Sequence, residues 1–126
     1  MPNFPIIDTH LHIWDMERLK YSAFEGHPIF GRSYHIEDFQ QDCEELEVEA
    51  MVFVECFADF TETGGQYIDE IKFVEESAKK DPRIKGIVPM APLEWGQSVE
   101  PMLREMQTNH QTVKGIRRIM EFDDDP

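Results

Sequence analysis

Apolar positions along this chain follow two alternating rhythms. In the segment Pro5-Ile-Ile-Asp-Thr-His-Leu-His-Ile-Trp14 they read as a strand in which side chains alternate faces, so that Asp8, His10 and His12 share one side and Ile7, Thr9 and Leu11 the other. Met51-Val-Phe-Val54 is a short continuous run of β-formers, the pattern of a strand buried on both faces of a parallel sheet. Residues 84–90 predict a third strand, with Pro89 and Pro92 at or beyond its end, and residues 113–119 a fourth. Between these runs the spacing lengthens to that of helices. Ile36, Phe39, Cys43 and Leu46 form one stripe over 36–46; Tyr67, Ile71, Val74 and Ala78 form a second; Val99, Met102, Leu103 and Met106 form a third, with Ser98 as its predicted N-cap. Asp81-Pro82 stops the second helix, because the residue before a proline is pushed out of helical geometry.

The order is strand, helix, strand, helix, strand, helix, strand, with strand starts roughly 30 to 45 residues apart, the length of right-handed crossover units. The expected class is therefore α/β with about four parallel strands and crossover helices. Residues 14–34 lack a sustained period and read as a long loop after the first strand, 61–65 as a turn, and 121–126 as an acidic loop.

Composition narrows the function. The 26 acidic against 12 basic residues leave a net charge of −14, which repels phosphate backbones and anionic lipid, so neither nucleic acid nor a membrane is an expected partner. No apolar stretch approaches the roughly 20 residues needed to span a bilayer, and the start of the chain lacks the pattern of a secretory signal; a cytoplasmic protein is the expectation. Two cysteines, Cys43 and Cys56, read as free thiols in that compartment. At 126 residues, 40% of them hydrophobic, the chain can bury one ordinary core, but it falls short of a closed eight-unit barrel of about 250 residues.

The candidate chemistry starts at His10 and His12. Two neutral imidazoles projecting from one strand end supply about half of the four ligands of a typical zinc site; a hydrogen-bonded histidine pair at a strand end is the alternative. Glu55 closes the second strand and either points into a pocket mouth or sits solvated at the loop entrance. Trp14 either walls a small-molecule pocket or packs the loop. Arg117 lies near the end of the fourth run, on the face opposite Lys114 and Arg118, and either offers its planar fork to a substrate or pairs with Glu55 or Asp8. His27, His35 and His110 are off the expected strand ends and are assigned to surface or loop structure.

The stretch Ile7-Asp-Thr-His-Leu-His-Ile-Trp-Asp15 resembles the opening motif of the amidohydrolase superfamily, and within it the group that includes sugar-lactone hydrolases and pyrone-dicarboxylate lactonases. A strand near Ala50 to Cys56, then Ile84-Lys-Gly-Ile-Val-Pro89, then Val113-Lys-Gly-Ile-Arg-Arg-Ile119 follow in that group's order. The resemblance implies that residues 1–126 are the N-terminal half of a (β/α)8 TIM-type barrel. It also implies a divalent metal, zinc being the expected ion, on His10 and His12, bound weakly or not at all by this half alone. The other ligands and the acid/base aspartate would lie on later strands, so no catalytic residue is assigned. It places Arg117 toward a small-molecule substrate, with Glu55 and Trp14 as the further candidates read above; some branches of the superfamily bridge two metals with a lysine on the fourth strand, a role that the face parity of Lys114 opposes. The implied activity is metal-dependent or metal-assisted hydrolysis of a small lactone or related carbonyl compound. A decarboxylase of the same superfamily is the alternative, and a catalytically silent half barrel acting as an association unit is a third reading. The implied partners are a second copy or the missing C-terminal half.

Overall fold

The computed structural model describes residues 3–59 and 65–120. The predicted turn at 61–65, apart from Gly65, and the acidic end at 121–126 lie outside them. Strand β1 (Ile6–Leu11) leads through a long loop with a 3₁₀ turn at Ser22–Phe24 to helix α1 (Ile36–Asp42). Strand β2 (Val48–Val54), helix α2 (Gly65–Lys80), strand β3 (Ile84–Val88), a 3₁₀ stretch (Leu93–Val99) and helix α3 (Glu100–Asn109) follow. The three strands form a parallel sheet in the order β1-β2-β3, the arrangement that crossover helices produce. None of the described helices is long and apolar enough to cross a membrane.

The centre of the core is β2, where Met51 and Phe53 are fully buried. Helix α2 packs against β3 and buries Tyr67, Ile71 and Val74, from the stripe read from the sequence, together with Phe73 and Ser77. In contrast, among the described residues β1 pairs on one side only, and its Ile7 is 61% exposed. A strand of a parallel sheet is normally covered on both faces, so β1 presents an edge and a surface suited to further chain.

The predicted fourth strand is not formed. Residues 113–119 run parallel to β3 but touch it at two isolated bridges, Ile87 with Val113 and Met90 with Arg117. The Ile87 N–H donates to Thr112 O (2.9 Å), Lys114 N–H to Ile87 O (3.0 Å) and Arg117 N–H to Pro89 O (2.9 Å). The next donor that β3 would offer in this series is position 89, and a proline has none, so the ladder breaks there. Gly86 allows the approach: a Cβ at that position would lie 3.3 Å from Lys114 Cγ.

Two helix ends also differ from expectation. Helix α1 stops at Asp42, leaving Cys43 as its half-buried C-cap and Leu46 beyond it. Helix α3 starts at Glu100 with Val99 as N-cap; Ser98 belongs to the preceding 3₁₀ stretch, and Pro101, suited to a first helical turn, marks the true start.

The α2–β3 junction is held by a buried ion pair. Asp81 accepts from Arg83 Nη2 (2.6 Å), Arg83 Nε (2.9 Å) and Gln40 Nε2 (2.9 Å), and Arg83 Nη1 donates to Val48 O (3.2 Å), which ties α1 and β2 to the turn. The guanidinium, against the opposing effect of burial, pulls the Asp81 carboxyl down to about 2. Stability from this group is fully present above the ordinary aspartate value and is lost as pH falls through about 2. Asp81→Asn is therefore expected to lose about 2 kcal/mol at neutral pH in urea unfolding, a deficit that closes in acid. A deficit that persists unchanged in acid would show that packing, not charge, sets it.

Candidate functional site

The strand ends bring the sequence candidates together. Residues Asp8 and Leu11 of β1 face Met51 and Phe53 of β2, so three steps on one strand match two on the other, and one extra residue is inserted around Thr9 and His10. Such a bulge re-aims side chains and is common beside functional sites. It breaks the simple alternation expected for Asp8, His10 and His12: Asp8 Oδ1 instead accepts the His10 backbone N–H (2.9 Å). The two imidazoles nonetheless meet, with ring centroids 4.7 Å apart and an interplanar angle of 71°.

His12 Nδ1 donates to Val54 O (2.9 Å), which fixes the tautomer and leaves the Nε2 lone pair available. Burial, opposed by the Val54 hydrogen bond and aided by His10 and Arg117, pushes this imidazole below its usual range and keeps it neutral. That is the state a metal ligand requires. His10 Nε2 lies 3.4 Å from Arg117 Nη1, a long contact that a stronger ligand could replace. The pair fits half of a four-ligand donor set. Among the described residues no group of three or more His, Cys, Asp or Glu side chains is arranged to hold a metal ion.

Glu55, directly after β2, is only 2% exposed, which removes the solvated alternative. Its Oε1 accepts from Arg117 Nε (2.8 Å), its backbone carbonyl accepts from Arg117 Nη2 (2.8 Å), and its Oε2 accepts the Phe57 N–H (3.0 Å). The pairing reading of Arg117 is thus realised with Glu55, and the same pairing directs Nη1 across the ends of β3 and β2 to His10. Lys114 faces the other way, donating to Gln111 O (2.8 Å). Trp14 is buried; its indole N–H donates to Arg32 O (2.8 Å), and its ring stacks on Tyr34. With His12, Phe24, Phe30, Cys56 and Phe57 it lines a cavity of about 150 Å³.

Of the remaining histidines, His27 Nδ1 accepts from the Ile29 and Phe30 N–H groups in the long loop, and His35 precedes α1 within 3.4 Å of Asp15. His110 corrects its assignment: it caps the end of α3 but is buried, with Nδ1 3.0 Å from Glu75. Both cysteines are free, and burial pushes the Cys56 thiol up, away from nucleophile behaviour.

One residue near the site escaped the sequence reading. Glu70 on α2 is 1% exposed, and its Oε2 accepts the Cys56 N–H (3.3 Å) while Oε1 has no partner. The signal was present: Glu70 follows Tyr67 by three and precedes Val74 by four, which places a carboxyl within the buried stripe. Burial, then the neighbouring Glu55 charge, pushes its pKa up to about 8.

Known proteins resemble this arrangement at the level of fold. The chain superposes on part of amidohydrolase 2 from Bifidobacterium longum subsp. infantis with a TM-score of 0.59 and 22% identity, covering 72% of this chain and 34% of that one. The shared feature is the fold. A search of curated proteins finds 29% identity over 134 residues to "Uncharacterized protein y4mH" of Sinorhizobium fredii (strain NBRC 101917 / NGR234), covering 99% of this chain. The chain spans 43% of the length of that relative. No protein-family model matches.

Proposed function

We propose that this chain contributes the first strands and helices of a barrel of the amidohydrolase superfamily, and that the whole protein hydrolyses a small lactone or related carbonyl compound. One observation carries the reading: His10 and His12, Glu55 and Arg117, from three separate segments, converge where β1 and β2 end. His10 and His12 would hold a divalent metal, zinc being the expected ion. When bound, such a metal lowers the pKa of water and polarises a carbonyl. The Val54 carbonyl orients the His12 ring, Glu55 fixes the plane of the Arg117 guanidinium, and Arg117 steadies an anionic or carbonyl-bearing ligand beside the histidines. The open edge of β1 and the loosely paired 113–119 segment are where further barrel strands would attach, in the same polypeptide or in a partner.

Zinc titration tests the metal part. Weak binding is expected of this chain, which supplies half of the donor set, and His10→Ala and His12→Ala each weaken it about tenfold or more. No zinc uptake, or uptake untouched by both substitutions, would sink this part. Assays on lactones address the reaction, and release of carbon dioxide in place of ring opening would move the protein to the decarboxylases.

A further inference from the structure

The segment that follows β2 hangs on two buried carboxyl groups from different elements. Glu55 Oε2 accepts the Phe57 N–H (3.0 Å), and Glu70 Oε2, from α2, accepts the Cys56 N–H one residue earlier (3.3 Å). The second of these amides begins a strained residue: Phe57 has φ 56°, the one positive value at a non-glycine position among the described residues. L side chains avoid this region because Cβ crowds the carbonyl oxygen, so the turn is kept by what surrounds it, a condition found at switch regions.

The two carboxyl groups are served unequally. Arg117 donates to Glu55 Oε1 (2.8 Å) and to the Glu55 carbonyl (2.8 Å), whereas Glu70 Oε1 has no hydrogen-bond partner among the described residues. Glu70 faces Glu55 and Cys56 at the end of β2, Tyr21 from the long loop, Tyr67 from its own helix and Arg117 from 113–119. Arg117 is the one cation in this set, and it is committed to Glu55. Burial pushes the Cys56 thiol and the Tyr21 hydroxyl up, so both keep their protons. Loss of the Glu70 proton therefore sets a second negative charge beside Glu55 with no second cation to meet it, where water is excluded and charges act strongly on one another.

We infer that Glu70 is a positioning residue for the strand-end cluster and that its proton operates a switch. Protonated, Glu70 leaves the Arg117 guanidinium between Glu55 and His10. Ionised, it repels Glu55, and the Cys56-Phe57 turn and Arg117 shift together while the proton passes to solvent. The inference rests on the strand-end site proposed above and adds its regulation. Every link is a direct contact, from Glu70 to the Cys56 amide, from Glu55 to the Phe57 amide and Arg117, and from Arg117 Nη1 to His10 Nε2 at 3.4 Å. That last contact is long, and it is the first to be lost when the guanidinium moves. The carboxyl of Glu70, raised to about 8, sets the switch just above neutrality.

NMR on the metal-free chain tests this. The Arg117 Nε–H and the Cys56 and Phe57 amides are followed from about pH 6 to about pH 9.5 alongside the carboxyl carbon of Glu70. All are expected to move in one step with a shared midpoint near about 8. Glu70→Gln keeps the shape and an acceptor for the Cys56 N–H; it is expected to abolish the step and leave the Arg117 signal at its low-pH position. A purely structural Glu70 would titrate while Arg117 stays flat, and that result overturns the proposal. So does an Arg117 step that survives Glu70→Gln, which would belong to His10 or His12, and so does a Glu70 midpoint in the ordinary glutamate range. Should Glu70→Gln fail to fold, the midpoints in the native chain decide alone. Neither zinc nor turnover enters the assay. A shared step in a chain that takes up no zinc keeps the switch and loses the metal site, and zinc uptake with a flat Arg117 signal does the reverse.

Discussion

Arg117→Met is expected to destabilise the protein by about 3–5 kcal/mol, the largest effect of any single change near the site. The substitution keeps most of the side-chain volume but withdraws the guanidinium from Glu55, which is 2% exposed and left with the Phe57 N–H on its Oε2. A buried carboxylate without its countercharge must either bear its desolvation or take up a proton, and both lower the stability of the native state. The double variant Glu55→Gln with Arg117→Met is expected to recover most of the loss, because no charge then remains to be stranded. Urea unfolding of the two singles and the double gives the coupling directly. An Arg117→Met variant within about 1 kcal/mol of the native protein would place the pair in the class of solvated surface bridges and remove its structural role.

The second large effect concerns Glu70. Its carboxyl is pushed up to about 8 by burial and by the nearby Glu55 charge, so it is neutral in the folded protein at pH 7. Below the ordinary glutamate value both folded and unfolded chains hold the proton, and the group's contribution is fully present. As pH rises the unfolded chain releases that proton while the native state retains it, so stability falls until the folded group itself titrates near about 8. Glu70→Gln is a neutral isostere whose side-chain oxygen can still accept the Cys56 N–H. Its advantage over the native protein is expected to grow by about 3 kcal/mol between about pH 5 and about pH 8 in paired unfolding curves. A flat difference across that window would mean that Glu70 is ionised and solvated in the folded state.

These two predictions share a physical origin. Glu55 and Glu70 are both nearly inaccessible, and one cation serves the pair. Arg117 pairs with Glu55, and the Glu55 charge in turn favours the proton on Glu70. The polar centre therefore depends on a segment that is only loosely joined to the sheet, since 113–119 touches β3 at two bridges. Stability measured on either carboxylate variant also reports how firmly that segment is docked.

Much of the architecture was legible in the chain itself. Strands β1, β2 and β3, the stripe of α2 and its end before Pro82 all arise from neighbours a few positions apart, and such spacing is visible in a sequence because it is local. The histidine pair was legible for the same reason. Where local signals competed, the reading erred: residues 113–119 have strand composition, yet the donor missing at Pro89 lies on another segment and interrupts their pairing. Ser98 is a favourable cap by type, but the 3₁₀ stretch carries the chain past it before α3 begins.

By itself, then, the sequence determined a parallel α/β order and placed two imidazoles at the first strand's end. Only the tertiary structure decided what surrounds them. Arg117 reaches Glu55 across 62 positions and His10 across 107, and no periodicity encodes contacts at that separation. The bulge that turns His10 depends on the register with β2, and the raised pKa of Glu70 on its burial beside Glu55. Each is set by how distant surfaces pack and exclude water, a property of the folded chain alone.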